Sequence, residues 1–240
     1  MNLTQDFKQY AKDNFGVGEY EFNTWENIQQ MIYNPTVLSG FQGQKASLTP
    51  MILEEREMRV TQMSVFDRLM MDRIIWLAGP VNDRMSTVVQ AQLMFLDNLD
   101  VKDITLHIDT PGGSTKSGKS IIDVMNYISS DIITVNTGMA ASMGSLLLSS
   151  GTKGKRYSLP SSKVMIHQVS AGVQGNVQDM RISLEEAEKE NISLFEILAK
   201  NTGKDYEQVL LDSVRDKWFD AQQALDYGLI DGIITKKIKK

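Results

Sequence analysis

The stretch Gly138-Met-Ala-Ala-Ser-Met-Gly144 lies near the middle of the 240-residue chain and decides how the rest of the sequence is interpreted. The β-branched segment 131–137 before it predicts a buried strand, and residues 145–150 after it predict a short helix. Ser142 is therefore predicted on a strand-to-helix turn, where small neighbours permit a sharp bend and the helix N-terminus supplies unpaired N–H groups. This is the geometry of a nucleophile elbow. A serine at a helix start is also a common N-cap, and these seven residues alone favour capping.

The composition is that of a globular protein, and it narrows the possible chemistry. Hydrophobic residues make up 42% of the chain and charged residues 23%, which is enough for one sizeable core. The net charge of -5 argues against nucleic-acid or anionic-membrane partners. The absence of cysteine excludes disulfides and thiolate catalysis, and two histidines argue against a metal site. With no long apolar run, we expect a soluble, unsecreted protein that has no metal and uses oxygen nucleophiles.

Residues 1–46 differ in composition from the rest of the chain. They contain eight aromatic residues and no arginine, and a Gly/Gln-rich joint follows at 40–47. Disordered linkers lack aromatic residues, so this segment is expected to dock on something, and the missing arginines argue against an organelle transit peptide. We interpret 1–46 as an N-terminal extension, either a helical decoration or a removable propeptide. The body of the protein is then 47–240.

Strands and helices alternate in the first half of the body. The pattern predicts strands at 74–78, 103–109 and 131–137, with helices from about Asp83 and over 117–129. This order implies α/β layers with mainly parallel strands and functional sites at the carboxyl ends of the strands. Both Pro111-Gly-Gly113 and the Ser142 turn lie at those ends. Paired glycines there suit an oxyanion donor, although this motif by itself is better explained by a tight turn that needs positive φ.

The two histidines and one long helix complete the pattern. His167 is predicted at the end of a strand over 163–168, where a lone histidine is more often a surface or packing residue than a general base. His107 lies inside an alternating strand, so we assign it to structure. From Val177 to about Asn201, apolar residues recur at three-four spacing through a helix that either projects toward another subunit or covers its own sheet.

Ser142, His167 and Asp216 follow one another in the order of a Ser-His-Asp triad, an order that many chains contain by chance. The sequence around them is far more specific. It resembles ClpP, the proteolytic subunit family of the Clp protease, from about Ser47 to Ile234. The motifs that carry the resemblance are DTPGGS (109–114), GMAASMG (138–144), GTKGKRYSLP (151–160), KVMIHQ (163–168), NTG (201–203) and RDKWFDAQQALDYGLIDG (215–232).

The resemblance implies a serine endopeptidase and assigns roles to individual residues. Ser142 would be the acylating nucleophile, His167 the general base and acid, and Asp216 the group that orients the imidazole. The backbone N–H groups of Gly113 and Met143 would form the oxyanion hole. The implied fold is α/β, a crotonase-like spiral of the ClpP type, built from β-β-α units with a protruding long helix.

The resemblance also implies partners. Seven subunits would form a ring, and two stacked rings would enclose a chamber in the cytoplasm. An AAA+ Clp ATPase would deliver unfolded polypeptides, which would lie beside the loop 170–176. In such an assembly ATP would be the cofactor of the partner ATPase, and the subunit itself would need none.

Five positions depart from the family pattern. The family usually has Gln where Met139 stands, Asn-Ser at Asp109-Thr110 and Pro at Val169. Many members have an acidic residue at Val214, beside the arginine matched by Arg215, and that pair helps to couple the rings. None of these departures replaces a predicted catalytic group.

Two other functions remain open. Some members of the family only assemble and do not cleave peptides, although these commonly lack a triad residue. A crotonase-like acyl-CoA enzyme would share the fold and the oxyanion-hole logic without using the Ser-His-Asp set. Labelling of Ser142 by a fluorophosphonate separates the first alternative from a peptidase, and turnover of a CoA thioester identifies the second.

Overall fold

The computed structural model describes residues 51–56, 59–170 and 172–235. The predicted N-terminal extension, 1–46, lies outside these residues, and so does its predicted boundary at Ser47.

The described residues form an α/β structure in which strands and helices alternate, as predicted. Their helices are α1 (Val65–Met71), α2 (Asp83–Leu99), α3 (Thr115–Tyr127), α4 (Met143–Ser149), α5 (Val177–Thr202), α6 (Tyr206–Asp212) and α7 (Ala221–Tyr227). Their strands are β1 (Met51–Arg56), β2 (Arg59–Ser64), β3 (Ile74–Ala78), β4 (Ile104–Thr110), β5 (Ile132–Ala141), β6 (Arg156–Ser158), β7 (Lys163–Ile166), β8 (Lys217–Phe219) and β9 (Gly232–Ile233).

The main sheet is mostly parallel, which confirms the predicted pairing. Its strand order is β3-β4-β5-β6-β9, and all of these neighbours run in parallel. The long strand β5 pairs with β6 along its first half and with β7 along its last three residues, so the sheet divides at this strand. Strand β8 pairs with β7 in the antiparallel direction, and β1 and β2 form a separate antiparallel pair.

The core follows from the spacing of apolar residues. In β4, Ile104, Leu106 and Ile108 are fully buried and alternate with partly exposed residues, as the pattern predicts for a strand with one face inward. In α2 the buried stripe recurs at helical spacing, whereas every residue of the short helix α4 is buried. Burial of each such aliphatic side chain contributes about 1.5–3 kcal/mol to folding. Helix α4 is thereby fixed in the centre of the molecule.

The predicted long helix is confirmed as α5, and its two halves differ. It begins after Asn176, whose Oδ1 accepts a hydrogen bond from the Asp179 N–H at 3.0 Å, and ends at Gly203 in the left-handed conformation. Its C-terminal half buries Leu194, Phe195 and Leu198 in the core. Its N-terminal half leaves three large apolar side chains exposed to solvent: Val177, Ile182 and Leu184. One half covers the body of the protein and the other projects from it.

Two boundaries differ from the predictions in ways that affect the site. Strand β5 continues to Ala141, because its last residues pair with β7, and Ser142 therefore follows the strand directly. Helix α3 begins at Thr115 rather than Ser117, because the Ser114 hydroxyl caps it by accepting a hydrogen bond from the Ser117 N–H at 3.2 Å. In the part of the chain that the structure describes, no helix is long and apolar enough to cross a membrane.

Candidate active site

Ser142 forms a strained turn between β5 and α4. Its backbone has φ 54° and ψ -121°, a conformation that residues other than glycine rarely adopt. Backbone hydrogen bonds hold the turn: the Ser142 N–H donates to the Met165 carbonyl at 2.9 Å, and the Ser142 carbonyl accepts from the Ser145 N–H and hydroxyl. The Ser142 hydroxyl makes no capping hydrogen bond to α4. The capping interpretation is therefore wrong, and the hydroxyl is turned to another partner.

That partner is His167, which lies directly after β7. Its Nε2 is 2.8 Å from Ser142 Oγ, and its Nδ1 is 3.0 Å from Asp216 Oδ1. With the ring proton on Nδ1, the histidine donates to the Asp216 carboxylate and accepts from the serine hydroxyl. The His167 side chain is 23% exposed and that of Asp216 is 60% exposed. The structure thus brings all three predicted side chains into one hydrogen-bonded line.

Of the two glycines before Ser114, Gly112 packs directly against this turn and Gly113 packs against the Val81 backbone. Gly112 and Gly113 have φ of 93° and 147°, and a Cβ at Gly112 would lie 2.7 Å from the Ser142 Cβ. Hydrogen bonds from the Val81 N–H to the Gly112 carbonyl and from the Ser114 N–H to the Val81 carbonyl fix the segment. Both positions therefore require glycine, because the positive φ would strain any other residue and a Cβ would clash with Ser142 at Gly112 or with Val81 at Gly113.

Two backbone amides border the serine. Gly113 and Met143 line the same cavity as Ser142 and His167. Within the described part of the chain, neither amide donates a hydrogen bond to another group. The Met143 amide is the first of helix α4, where the positive end of the helix dipole favours a negative charge. The arrangement offers two N–H donors beside a hydroxyl that has a base in contact.

The cavity beside these groups has a volume of about 210 Å³ and a mainly apolar wall. Helix α5 supplies much of that wall, and the remainder comes from α4, β7 and Val169. The apolar side chains of the wall are Met143, Leu146, Ile166, Val169, Leu194, Phe195 and Leu198. A concave apolar pocket with polar groups at one end is typical of a site that takes an apolar side chain next to a reacting bond.

The loop that carries Asp216 is anchored on both sides. On one side, Asp212 accepts hydrogen bonds from Lys217 and from the Tyr227 hydroxyl. Burial alone would raise the pKa of Asp212, but these hydrogen bonds and the Lys217 charge outweigh it, so that the pKa lies below its ordinary value. Burial, assisted by Asp212, raises the pKa of Tyr227. Asp212 is thus a structural anion that fixes the end of α6.

On the other side, Gln168 joins this loop to the histidine segment. Its backbone N–H donates to the Ser213 carbonyl at 2.8 Å, and its side-chain amide donates to the Val214 carbonyl at 3.1 Å. The motif KVMIHQ contains Gln168, but no pattern in the sequence indicates its partners.

The sequence assigns the second histidine, His107, a structural role. In the structure His107 lies within β4 and stacks on Trp76 with ring centroids 4.8 Å apart.

The chain is similar to known proteins over most of its length. The family model for Clp protease matches residues 55–237. An ATP-dependent Clp protease proteolytic subunit of Porphyromonas gingivalis is 44% identical over 235 residues, which cover 98% of this chain and 99% of that protein. Proteins of the same name from Bacteroides fragilis and Streptococcus thermophilus are 49% and 46% identical over 195 and 191 residues. These matches cover 81% and 78% of this chain and 94% and 97% of those proteins.

The similarity to this family thus extends over most of the chain and is not confined to the site. The model and the relatives include all the strands and helices that position the cavity, and the relatives are named as proteolytic subunits, so the chain is an enzyme of the peptidase class. The chain belongs to the Clp protease family.

Proposed function

We propose that this chain is the catalytic subunit of a serine endopeptidase, with Ser142 as nucleophile, His167 as general base and Asp216 as orienting carboxylate. The observation that supports the proposal is the line of two hydrogen bonds, of 2.8 and 3.0 Å, that joins these three side chains beside two backbone amides. A hydroxyl with a base in contact, and a base held by a third group, is the arrangement that acyl transfer requires.

In acylation, His167 Nε2 takes the proton of the Ser142 hydroxyl while Oγ attacks the scissile carbonyl carbon. The N–H groups of Gly113 and Met143 would donate to the oxyanion that develops, and removal of one such donor typically costs a factor of about 10²–10³ in rate. His167 then gives its proton to the leaving amine as the C–N bond breaks. In deacylation the same nitrogen takes a proton from water, whose oxygen attacks the ester carbonyl carbon. The bond between that carbon and Ser142 Oγ then breaks as His167 returns the proton to Oγ, which releases the carboxylic acid product and regenerates Ser142.

The cavity favours substrates with an apolar residue before the scissile bond. Its wall is made largely of Leu, Ile, Phe and Met side chains, and burial of an apolar side chain there would add roughly 1.5–3 kcal/mol of binding. The substrate would lie as an extended chain beside the loop that follows Val169 and form backbone hydrogen bonds, which give loose sequence preference.

The assembly proposed is two stacked rings of seven subunits that enclose the sites in a chamber. The exposed apolar side chains on the N-terminal half of α5 support this, because Val177, Ile182 and Leu184 would be covered by a second copy. An AAA+ Clp ATPase in the cytoplasm would unfold and deliver polypeptides, in keeping with relatives that are named as ATP-dependent.

We also propose that residues 1–46 are a propeptide cleaved near Ser47. Measurement of the intact mass of the subunit in the purified active particle tests this: a mass that begins near Ser47 is expected, and a persistent full-length mass would reject it.

Substitution of the nucleophile tests the activity. Ser142→Ala should lower cleavage of a fluorogenic peptide with an apolar residue before the bond by a factor on the order of 10⁶. Ser129→Ala, at an exposed serine, is the matched control and should leave the rate unchanged. Persistent cleavage by Ser142→Ala would reject the proposal. If the unsubstituted protein neither cleaves peptide nor reacts with a fluorophosphonate, a non-catalytic ring subunit is favoured. If it turns over a CoA thioester without cleaving peptide, an acyl-CoA enzyme is favoured.

A further inference from the structure

The backbone that carries His167 leaves the sheet immediately before this residue. Strand β7 ends at Ile166, whose partner in β8 is Lys217, and no ladder pairing continues beyond that pair in the described residues. The position of the imidazole therefore depends on what holds residues 167–169. The hydrogen bond to Asp216 cannot do this alone, because that carboxylate is largely exposed and exposed ion pairs position side chains weakly.

This segment is anchored on two sides. Gln168 holds it to the Ser213 and Val214 carbonyls, and helix α5 holds it at the next residue. The Val169 N–H donates to Asn191 Oδ1 at 2.9 Å, across 22 positions of sequence. Asn191 lies one turn before Leu194 and Phe195, which are buried in the core, so the acceptor is carried by a rigid part of the helix. The bond is partly buried, and loss of the acceptor would leave the amide without its partner.

We propose that Asn191 is a positioning residue for the reaction: it holds the segment 167–169 against α5 and thereby keeps His167 Nε2 in contact with Ser142 Oγ. This inference rests on the proposed function. Asn191 also lines the apolar cavity, together with Val169 and Leu194, so the same hydrogen bond fixes one wall of the cavity and the base at its polar end.

The residue at 169 makes this device possible. A proline at this position would have no amide proton and could not donate to Asn191. Proline restrains the backbone through its fixed φ, whereas Val169 leaves φ free and needs an external anchor. In this chain the Val169–Asn191 hydrogen bond supplies the restraint, and the two positions should act as a coupled pair.

The first test removes the acceptor. In the full-length, assembled protein, Asn191→Leu should lower kcat for a fluorogenic peptide, and the rate of fluorophosphonate labelling of Ser142, by about five- to tenfold, with KM within about twofold. Asn191→Asp keeps an acceptor oxygen and should retain kcat within about twofold. Ser193→Ala removes a contact of the same helix to Lys119 and serves as the matched control. If Asn191→Leu does not fold by circular dichroism, Asn191→Ser takes its place, because its side chain is too short to reach.

The second test is a double-mutant cycle with Val169→Pro. In that background, Asn191→Leu should change kcat by less than about twofold, because no amide proton remains at 169. An equal loss in both backgrounds would overturn the proposal. So would a rise in KM with kcat unchanged, which would make Asn191 a substrate contact only. The proposed function fails separately, if the unsubstituted protein neither cleaves peptide nor labels at Ser142.

Discussion

The two ends of helix α4 show how the molecule separates reactivity from stability. At the N-terminal end, the strained Ser142 turn opens into a cavity, and its partners His167 and Asp216 are partly exposed. At the C-terminal end, the Ser149 carbonyl accepts a hydrogen bond from Arg156 Nη1, and the Arg156 side chain is 1% exposed. A helix anchored at one end in the core can hold a strained residue at the other.

The two ends also hold hydrogen-bonded pairs of opposite kinds, one buried and one exposed. The Arg156 side chain donates two hydrogen bonds to the Asp231 carboxylate, at 2.6 and 2.8 Å, and its Nη1 donates to the carbonyls of Ser149 and Asn201. The side chain thereby joins β6, α4, α5 and the C-terminal segment. His167 and Asp216 share one hydrogen bond in partial contact with water. Breaking the Arg156–Asp231 pair should therefore lower the free energy of unfolding, whereas breaking the His167–Asp216 pair should lower the catalytic rate.

The largest expected effect is on catalysis at the exposed pair. Asp216→Asn keeps the shape of the side chain but favours the wrong tautomer of His167, and kcat/KM for peptide cleavage should fall by a factor of roughly 10⁴. The free energy of unfolding in urea should change by less than about 1 kcal/mol, because the carboxylate is exposed. Asp226→Asn, at an exposed carboxylate of α7, is the control for both measurements. A large loss of stability in Asp216→Asn would remove the contrast between the two ends.

The next effect is on stability at the buried pair. Arg156→Leu leaves the Asp231 carboxylate and the carbonyls of Ser149 and Asn201 without their partner, and should lower the unfolding free energy by about 3–5 kcal/mol in urea. The double variant Arg156→Leu/Asp231→Leu removes the stranded charge as well and should be more stable than Arg156→Leu alone. The folded fraction of Arg156→Leu should still label at Ser142. Unchanged stability would mean that the core, rather than this pair, anchors α4.

The buried pair also predicts how stability depends on acid. Burial would raise the pKa of Asp231, but hydrogen bonds and the Arg156 charge outweigh it and place the pKa below the ordinary value of 3.8. A carboxyl with a lowered pKa in the folded state stabilises fully above its unfolded pKa, and this contribution is lost as pH falls through the folded pKa. The urea midpoint should therefore decrease below about pH 4. Asp231→Asn should flatten this limb, and a midpoint that rises with acid would contradict the assignment.

The smallest effect is expected from an exposed charged pair on α5. Lys189 contacts Glu186 on the projecting half of α5, and both side chains are about two-thirds exposed. Because solvent screens such pairs, Lys189→Ala should change the unfolding free energy by at most about 0.5 kcal/mol and leave peptide cleavage unchanged. A larger change in stability would contradict the solvent exposure of this pair and would mean that the proposed contact with a second copy extends from Val177, Ile182 and Leu184 to Lys189.

The difference between the two ends also explains what could be predicted from sequence. The Ser142 turn, the glycines before Ser114 and the positions of His167 and Asp216 follow from local patterns and from motifs that resemble a known family. The Arg156–Asp231 pair spans 75 positions, and its basic segment is indistinguishable in sequence from a solvated turn. The spacing of apolar residues predicts that Asn191 faces inward on its helix, but its partner is the Val169 backbone amide. A single sequence contains no pattern that identifies a backbone amide as the partner of a side chain.

The central claim is that Ser142 is a nucleophile activated by His167, and covalent labelling tests it most directly. Intact mass and peptide mapping after treatment with a fluorophosphonate should show one adduct per subunit, on Ser142, and His167→Ala should slow its formation by roughly 10³-fold or more. Labelling at another serine, or labelling of Ser142 at the same rate in His167→Ala, would contradict the account.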